Sequence, residues 1–197
     1  MTEFRSFGKI PRLSRECTIT EKIDGTNACI FIGEDGEFLT GCRTRWITPE
    51  DDNHGFARWA HEHKDELLNL GPGRHFGEWW GAGIQRKYGL DHKRFSLFNT
   101  SRWADANPYP VPFATCPDTL PKDVAFAPAC CRVVPVIYHG LFDTDAVNAA
   151  LMAITTLGSA AAPGFMQPEG IIIYHHASGG YFKKILEHDD EWKGKRV

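Results

Sequence analysis

Short apolar, β-branched stretches broken by glycine and acidic turns, with helical periodicity in just two places, constrain this chain more than any other feature. Cys17 to Thr20, Ala28 to Ile32, Phe38 to Arg43, Arg74 to Trp80 and Phe95 to Asn99 read as strands in the first half. Arg132 to Tyr138, Ile171 to Tyr174 and Tyr181 to Ile185 read as strands in the second. Glu34-Asp35-Gly36-Glu37 has the composition of a hairpin turn. Phe56, Trp59, Ala60, His63, Leu67 and Leu70 recur at three-to-four spacing and predict one helix from Asn53 to Leu70, closed by Gly71-Pro72-Gly73. A second helix is expected from Asp143 to Leu157, with Asp143 or Thr144 as its cap. Gly81 to Tyr88 is a loop of glycine and basic residues, and proline-rich Trp103 to Ala129 an irregular excursion. Hairpins with few helices argue for an α+β fold rather than alternating parallel units. No repeat or linker divides the chain, so residues 1–197 read as a single domain.

Composition then narrows the function. A hydrophobic content of 42% suits a buried core, and no apolar run is long enough to span a membrane. Met1 to Ile10 lacks the apolar stretch of a signal peptide, which leads us to expect a cytoplasmic protein with no membrane partner. A net charge of -3 excludes a basic nucleic-acid coat, so phosphate contacts must come from local pairs. Arg43 with Arg45, Arg86 with Lys87, Lys93 with Arg94 and Lys183 with Lys184 are the candidates, although each pair alone also fits a solvated face. The six cysteines show no CxxC pair and read as reduced thiols. His61, His63, His175 and His176 are not spaced to share a metal and read as structural or surface residues.

The chemistry centres on Lys22-Ile23-Asp24-Gly25. A Lys-x-Asp-Gly match arises by chance in roughly one in twenty chains of this length, and Asp-Gly by itself only suggests a turn. Its companions carry the argument. Glu78 lies in Gly-Glu-Trp-Trp-Gly, and Phe98 follows 20 residues later in Phe-Ser-Leu-Phe-Asn. Glu169 stands just ahead of the apolar run Ile171 to Tyr174, and Lys183 and Lys184 follow in Tyr-Phe-Lys-Lys-Ile. In that order these residues resemble motifs I, III, IIIa, IV and V of the covalent nucleotidyltransferases: DNA ligases, RNA ligases and mRNA capping enzymes. Asn27, two residues past Gly25, and Cys42-Arg43-Thr44-Arg45 further on are similar to the RNA ligase 2 branch of the ATP-dependent polynucleotide ligases, phage members included.

The resemblance runs from about Ser6 to Lys184 and implies a nucleotidyltransferase core, related to ATP-grasp, of two antiparallel sheets with flanking helices. It implies ATP as nucleotide donor and Mg²⁺ or Mn²⁺ as cofactor. The expected roles are lysyl-AMP formation at Lys22, with Asp24 and Asn27 orienting phosphates and the nick, and Glu169 supporting the metal through water. Lys183 and Lys184 would serve the α-phosphate. Glu78 would bind the ribose, Phe98 stack on adenine, and Arg43 (or Arg45) contact the ribose or the incoming phosphate. Glu21, by its carbonyl or side chain, and Ile23 flank the lysine as further nucleotide contacts. These residue types suit the chemistry. A neutral amine is needed for attack, and nearby cations favour the neutral form of a lysine. The same cations stabilise charge growing on the α-phosphate.

Two departures qualify the expectation. Motif V commonly separates its two lysines by one residue, whereas here they are adjacent and face opposite ways on a strand, so one of them, Lys183 by preference, is expected to reach the phosphate. The sequence also ends 13 residues after Lys184, where relatives continue into an OB-type or helical C-terminal domain. The expectation is therefore an ATP-dependent RNA ligase acting on 5′-phosphate and 3′-hydroxyl ends of RNA or a nicked duplex, with a separate nucleic-acid-binding partner as one way to hold the nick. Alternatives are an adenylyltransferase that stops at lysyl-AMP or adenylated ends, a DNA nick ligase, or a silent nucleotide-binding module.

Overall fold

The computed structural model describes residues 2–106, 124–187 and 189. In chain order the first half holds β1 (Glu16–Lys22), β2 (Thr26–Ile32), β3 (Phe38–Gly41), β4 (Trp46–Ile47), α1 (Phe56–Glu62), α2 (Lys64–Leu67), β5 (Gly73–Gly81) and β6 (Lys93–Leu97). The second holds β7 (Trp103–Ala104), β8 (Ala125–Phe126), β9 (Cys131–Val133), β10 (Val136–Leu141), α3 (Thr144–Leu157), β11 (Gly170–His175) and β12 (Gly180–Ile185). Two sheets dominate: a four-stranded one in the order β10-β1-β11-β12 and a six-stranded one in the order β4-β3-β2-β5-β6-β9. Their pairings are antiparallel except β6 with β9. The α+β expectation holds. Among the described residues, no helix is long and apolar enough to cross a membrane.

Each sheet buries one face by alternation. Cys17 and Ile19 of β1 pack with Ile171 and Ile173 of β11 beneath Val147, Ala150 and Ile154 of α3. Asp143 caps that helix by accepting the Asp145 N–H. Ala28, Ile30, Trp79, Phe95 and Leu97 of the six-stranded sheet pack against Phe56, Ala57 and Ala60 of α1. A third cluster, Ile23, Trp80, Tyr88, Val134, Ala161 and Ala162, fills the seam where the sheets meet.

Three details differ from the sequence expectation. The helix predicted over 53–70 is divided: α1 ends at His63, whose Nδ1 lies 2.8 Å from the Trp59 carbonyl oxygen, and a short α2 and a 3₁₀ turn follow. The strand predicted over 132–138 is two strands in different sheets. Pro135 has no N–H to continue a ladder, so β9 stops before it and β10 starts after it, while its carbonyl accepts the Glu21 N–H. The strand expected to reach Arg43 ends at Gly41 in a turn closed by Cys42 N–H to the Arg45 carbonyl. Within the predicted excursion over 103–129, β7 and β8 pair in parallel, and Cys116 lies outside the described residues, as does most of the tail after Leu186.

Candidate active site

The chain crosses from one sheet to the other between Lys22, the last residue of β1, and Thr26, the first of β2. Ile23-Asp24-Gly25 therefore forms a sharp turn at the seam. Gly25 is required there: a Cβ would lie 2.5 Å from the Trp79 carbonyl oxygen and 2.7 Å from the Trp80 Cβ. The turn is pinned from three sides. Gly25 N–H donates to Glu78 Oε1 at 3.0 Å, Asn27 Nδ2 donates to Glu78 Oε2 at 3.3 Å, and Asp24 N–H donates to the Tyr88 hydroxyl at 2.8 Å.

Charge is concentrated around the lysine. Lys22 Nζ lies 2.5 Å from Glu169 Oε2, both side chains about one-fifth exposed. Asp24 pairs with Arg86 Nε at 3.2 Å, and Arg86 also reaches Glu187 and the Gln167 carbonyl. Burial pushes the Glu78 carboxyl up to about 7, against the opposing pull of Lys22, and nearby Glu169 and Asp24 raise it further.

That displacement has a consequence for stability. The folded protein keeps a proton on Glu78 after the unfolded chain, titrating near 4.5, has lost it. Stability is thus fully present below pH 4.5 and falls as pH rises toward 7, by about 3 kcal/mol from this group. Urea unfolding between pH 5 and pH 8 is expected to show wild type losing stability relative to Glu78→Gln. Parallel profiles would show that Glu78 is not the responsible group.

Sheet register sorts the remaining candidates. On β1, Thr18, Thr20 and Lys22 share one face, while Cys17, Ile19 and Glu21 share the α3 face. Lys183 stands opposite Ile172, which stands opposite Thr20, so Lys183 lies on the Lys22 face. Lys184 stands opposite Ile171 and Glu21, on the α3 face. Glu21 is turned the same way. Its buried carboxylate accepts from Ser159 Oγ at 2.6 Å and Ala161 N–H at 2.9 Å, which leaves only its backbone on the lysine side of the sheet.

Arg45 is held by Asp51 through two hydrogen bonds, at 2.5 and 2.9 Å, whereas Arg43 is exposed and makes no ion pair among the described residues. Ile23 is buried in the seam cluster. Phe98 follows β6 and is 41% exposed, an unusual exposure for a ring at an otherwise apolar strand end. Glu78 and Asn27 stand directly opposite each other in the six-stranded sheet.

Two residues that pin the turn, Tyr88 and Arg86, were not singled out for it by sequence. Arg86 reads as half of a surface basic pair, yet its guanidinium links the Asp24 turn to the segments flanking β11 and β12. The signal was the glycine-rich loop itself, where Gln85, Lys87 and Tyr88 all adopt positive φ. Among the described residues, no three His, Cys, Asp or Glu side chains gather into a metal cage. Glu169 is instead one oxygen donor beside a lysine, a donor set that fits a hydrated Mg²⁺ or Mn²⁺ completed by water and phosphate oxygens.

Comparison with known proteins points to one family. The sequence model of the RNA ligase family matches residues 15–185. No curated protein matches the chain. Among solved structures, an apo mutant of Naegleria gruberi RNA ligase is similar with a TM-score of 0.56 and 18% identity over 87% of this chain and 50% of that one. A mutant of the same ligase with AMP and Mn gives 0.56 and 17% over 88% and 50%, and one with ATP and Mn gives 0.52 and 17% over 89% and 51%. The chain thus spans about half the length of the solved relatives it matches, and at this identity the likeness speaks for the fold.

Proposed function

Because this chain belongs to the RNA ligase family, we propose that residues 15–185 form an ATP-dependent adenylation domain that seals RNA ends through an AMP-lysine intermediate on Lys22. The observation that carries this reading is the Lys22–Glu169 pair at the end of β1, with Glu78 and Asp24 beside it and Lys183 on the same sheet face.

The reaction has three displacements. The Lys22 amine attacks the α-phosphate of ATP, a P–N bond forms and pyrophosphate leaves. An oxygen of a 5′-phosphate end then attacks the same phosphorus, giving a 5′–5′ pyrophosphate-linked AMP and freeing the lysine. A 3′-hydroxyl attacks the 5′-phosphate, the phosphodiester forms and AMP leaves.

The chain's residues divide this work. The Gly25 turn, pinned by Glu78 and Tyr88, fixes the position of Lys22, and such positioning is a large part of any bimolecular rate gain. Lys183 offers its charge to the α-phosphate oxygens. Glu169 would hold Mg²⁺ or Mn²⁺, which would supply positive charge at the α-phosphate. Phe98 gives an aromatic face for adenine, a stacking contact that accepts any base. Glu78 would serve a ribose hydroxyl, and Arg43 a phosphate or ribose. Asp24 and Asn27 orient the phosphates and the nick, and the Glu21 carbonyl and Ile23 complete the nucleotide contacts.

Register gives a prediction on the adjacent lysines. Lys183→Ala is expected to slow AMP transfer to the protein by about 100-fold, the scale of losing one charged donor to a developing oxyanion. Lys184→Ala should stay within about threefold. Equal effects would show that strand register does not govern which lysine acts. Likewise Arg43→Ala should reduce joining more than Arg45→Ala, since Arg45 is already engaged with Asp51. The reverse ranking in a nick-sealing assay would move the role to Arg45.

Incubation with α-labelled ATP or GTP and Mg²⁺ tests the reading as a whole. A covalently labelled band with ATP, followed by joining of a 5′-phosphorylated nicked RNA duplex, is the expected result. Labelling without joining of RNA or DNA would limit the activity to adenylyl transfer. No label under any condition would refute the reading.

A further inference from the structure

The Lys22 face of the four-stranded sheet carries, two residue pairs away from the lysine, a row of directly opposed residues that crosses every strand: Tyr181, Tyr174, Thr18 and His139. His176, just past β11, folds onto this row. Thr18 Oγ1 lies 2.9 Å from both His139 Nδ1 and His176 Nε2, which locks the two imidazoles side by side. The rings form an unbroken series, with centroid separations of 4.6 Å from Tyr181 to Tyr174, 4.9 Å from Tyr174 to His176 and 5.7 Å from His176 to His139. Tyr181 at the sheet edge is 71% exposed.

Such a ladder is not explained by core packing. The buried face of this sheet is the opposite one, under α3. Nor does the Lys22 adenylation chemistry use it, because Thr18 lies four residues from Lys22 along β1, roughly 13 Å. That distance is about four stacked nucleotides of a single strand.

We propose that this ring row is a platform on which the single-stranded RNA next to the reacting end stacks its bases. Charge argues for that occupant. Lys183 stands on the same face between the row and Lys22, and makes no ion pair among the described residues. The exposed segment 2–15 carries Arg5, Lys9, Arg12 and Arg15 against Glu3 alone. Its Leu13 carbonyl accepts from His175 on the α3 face before the chain enters β1 at the Thr18 end, so this positive charge adds to that end of the sheet rather than to the row itself. Glu16 at the start of β1 is the one carboxylate at these face positions among the described residues. Neutral rings flanked by cations are what a polynucleotide needs, since bases stack on the rings and phosphates meet the lysines and arginines.

The proposal rests on the ligase reading for its biological use, but its test is separate. Fluorescence anisotropy with a 5′-phosphorylated, single-stranded 12-nucleotide RNA would compare wild type, Tyr181→Ala, Tyr181→Phe and Phe182→Ala. Phe182 is the adjacent residue on the opposite face, 58% exposed, and serves as the control. Tyr181→Ala is expected to weaken binding about tenfold, the loss of one stacked base, with Tyr181→Phe close to wild type and Phe182→Ala unchanged. Covalent AMP labelling should be equal in all four proteins. Unchanged RNA affinity in Tyr181→Ala, or an equal loss in Phe182→Ala, would overturn the platform. Absence of AMP labelling in wild type would overturn the ligase reading and leave the binding comparison to decide the platform.

Discussion

Lys22→Ala is expected to accumulate no covalent AMP when incubated with ATP and Mg²⁺, a loss of at least about 10³-fold in labelling rate. No neighbour can substitute. The other lysine on the same sheet face, Lys183, sits two strands across and one pair along, roughly 12 Å away at the backbone. Lys184 points to the α3 face, and the amine must stand in line with the leaving pyrophosphate. The fold is expected to survive the change, because Lys22 lies at the end of β1 outside the core clusters and the Glu169 carboxylate left behind keeps about one-fifth of its surface in water. A thermal midpoint within about 4 °C of wild type would show this. Labelling of the variant at a wild-type rate would remove Lys22 from the chemistry altogether.

Glu169→Ala is expected to be nearly as severe, by about 10²- to 10³-fold in the rate of AMP transfer to the protein. Its carboxylate holds the lysine in the free protein and, in the proposed reaction, would be the oxygen donor beside the α-phosphate. Removal would therefore free the Lys22 amine and take away the carboxylate proposed to hold a divalent cation. Glu169→Gln keeps the shape and the hydrogen-bonding capacity but not the charge. If charge is what matters, Gln should resemble Ala; if only the position of Lys22 matters, Gln should resemble wild type. Wild-type labelling rates in both variants would exclude Glu169 from the reaction.

Much of this architecture was legible in the sequence because local signals and tertiary structure agree. The β2–β3 hairpin follows from alternating residues around Asp35-Gly36, and α3 from its period and its Asp143 cap. Lys22, Glu169 and Glu78 were legible as an ordered set of residue types, and they do come together around one amine. What was not legible depends on partners distant in sequence. The crossing at Val134-Pro135 sits inside an apolar run that reads as one strand, and only the missing N–H of Pro135 marks the break. Arg86 and Tyr88 reach Asp24 from more than 60 residues away, and no periodicity signals such a contact. The choice between Lys183 and Lys184 needed the register of β12 on β11 and of β11 on β1. Glu21 was readable in principle, since alternation along β1 already sets it with Ile19 and against Lys22.

The central claim is tested most directly by locating the AMP. Wild-type protein incubated with ATP and Mg²⁺ would be digested under alkaline conditions, which spare a P–N bond, and its peptides analysed by mass spectrometry. The account predicts one added AMP, on the peptide containing Lys22, lost on mild acid treatment. AMP on Lys183, on any other residue, or on none would contradict it.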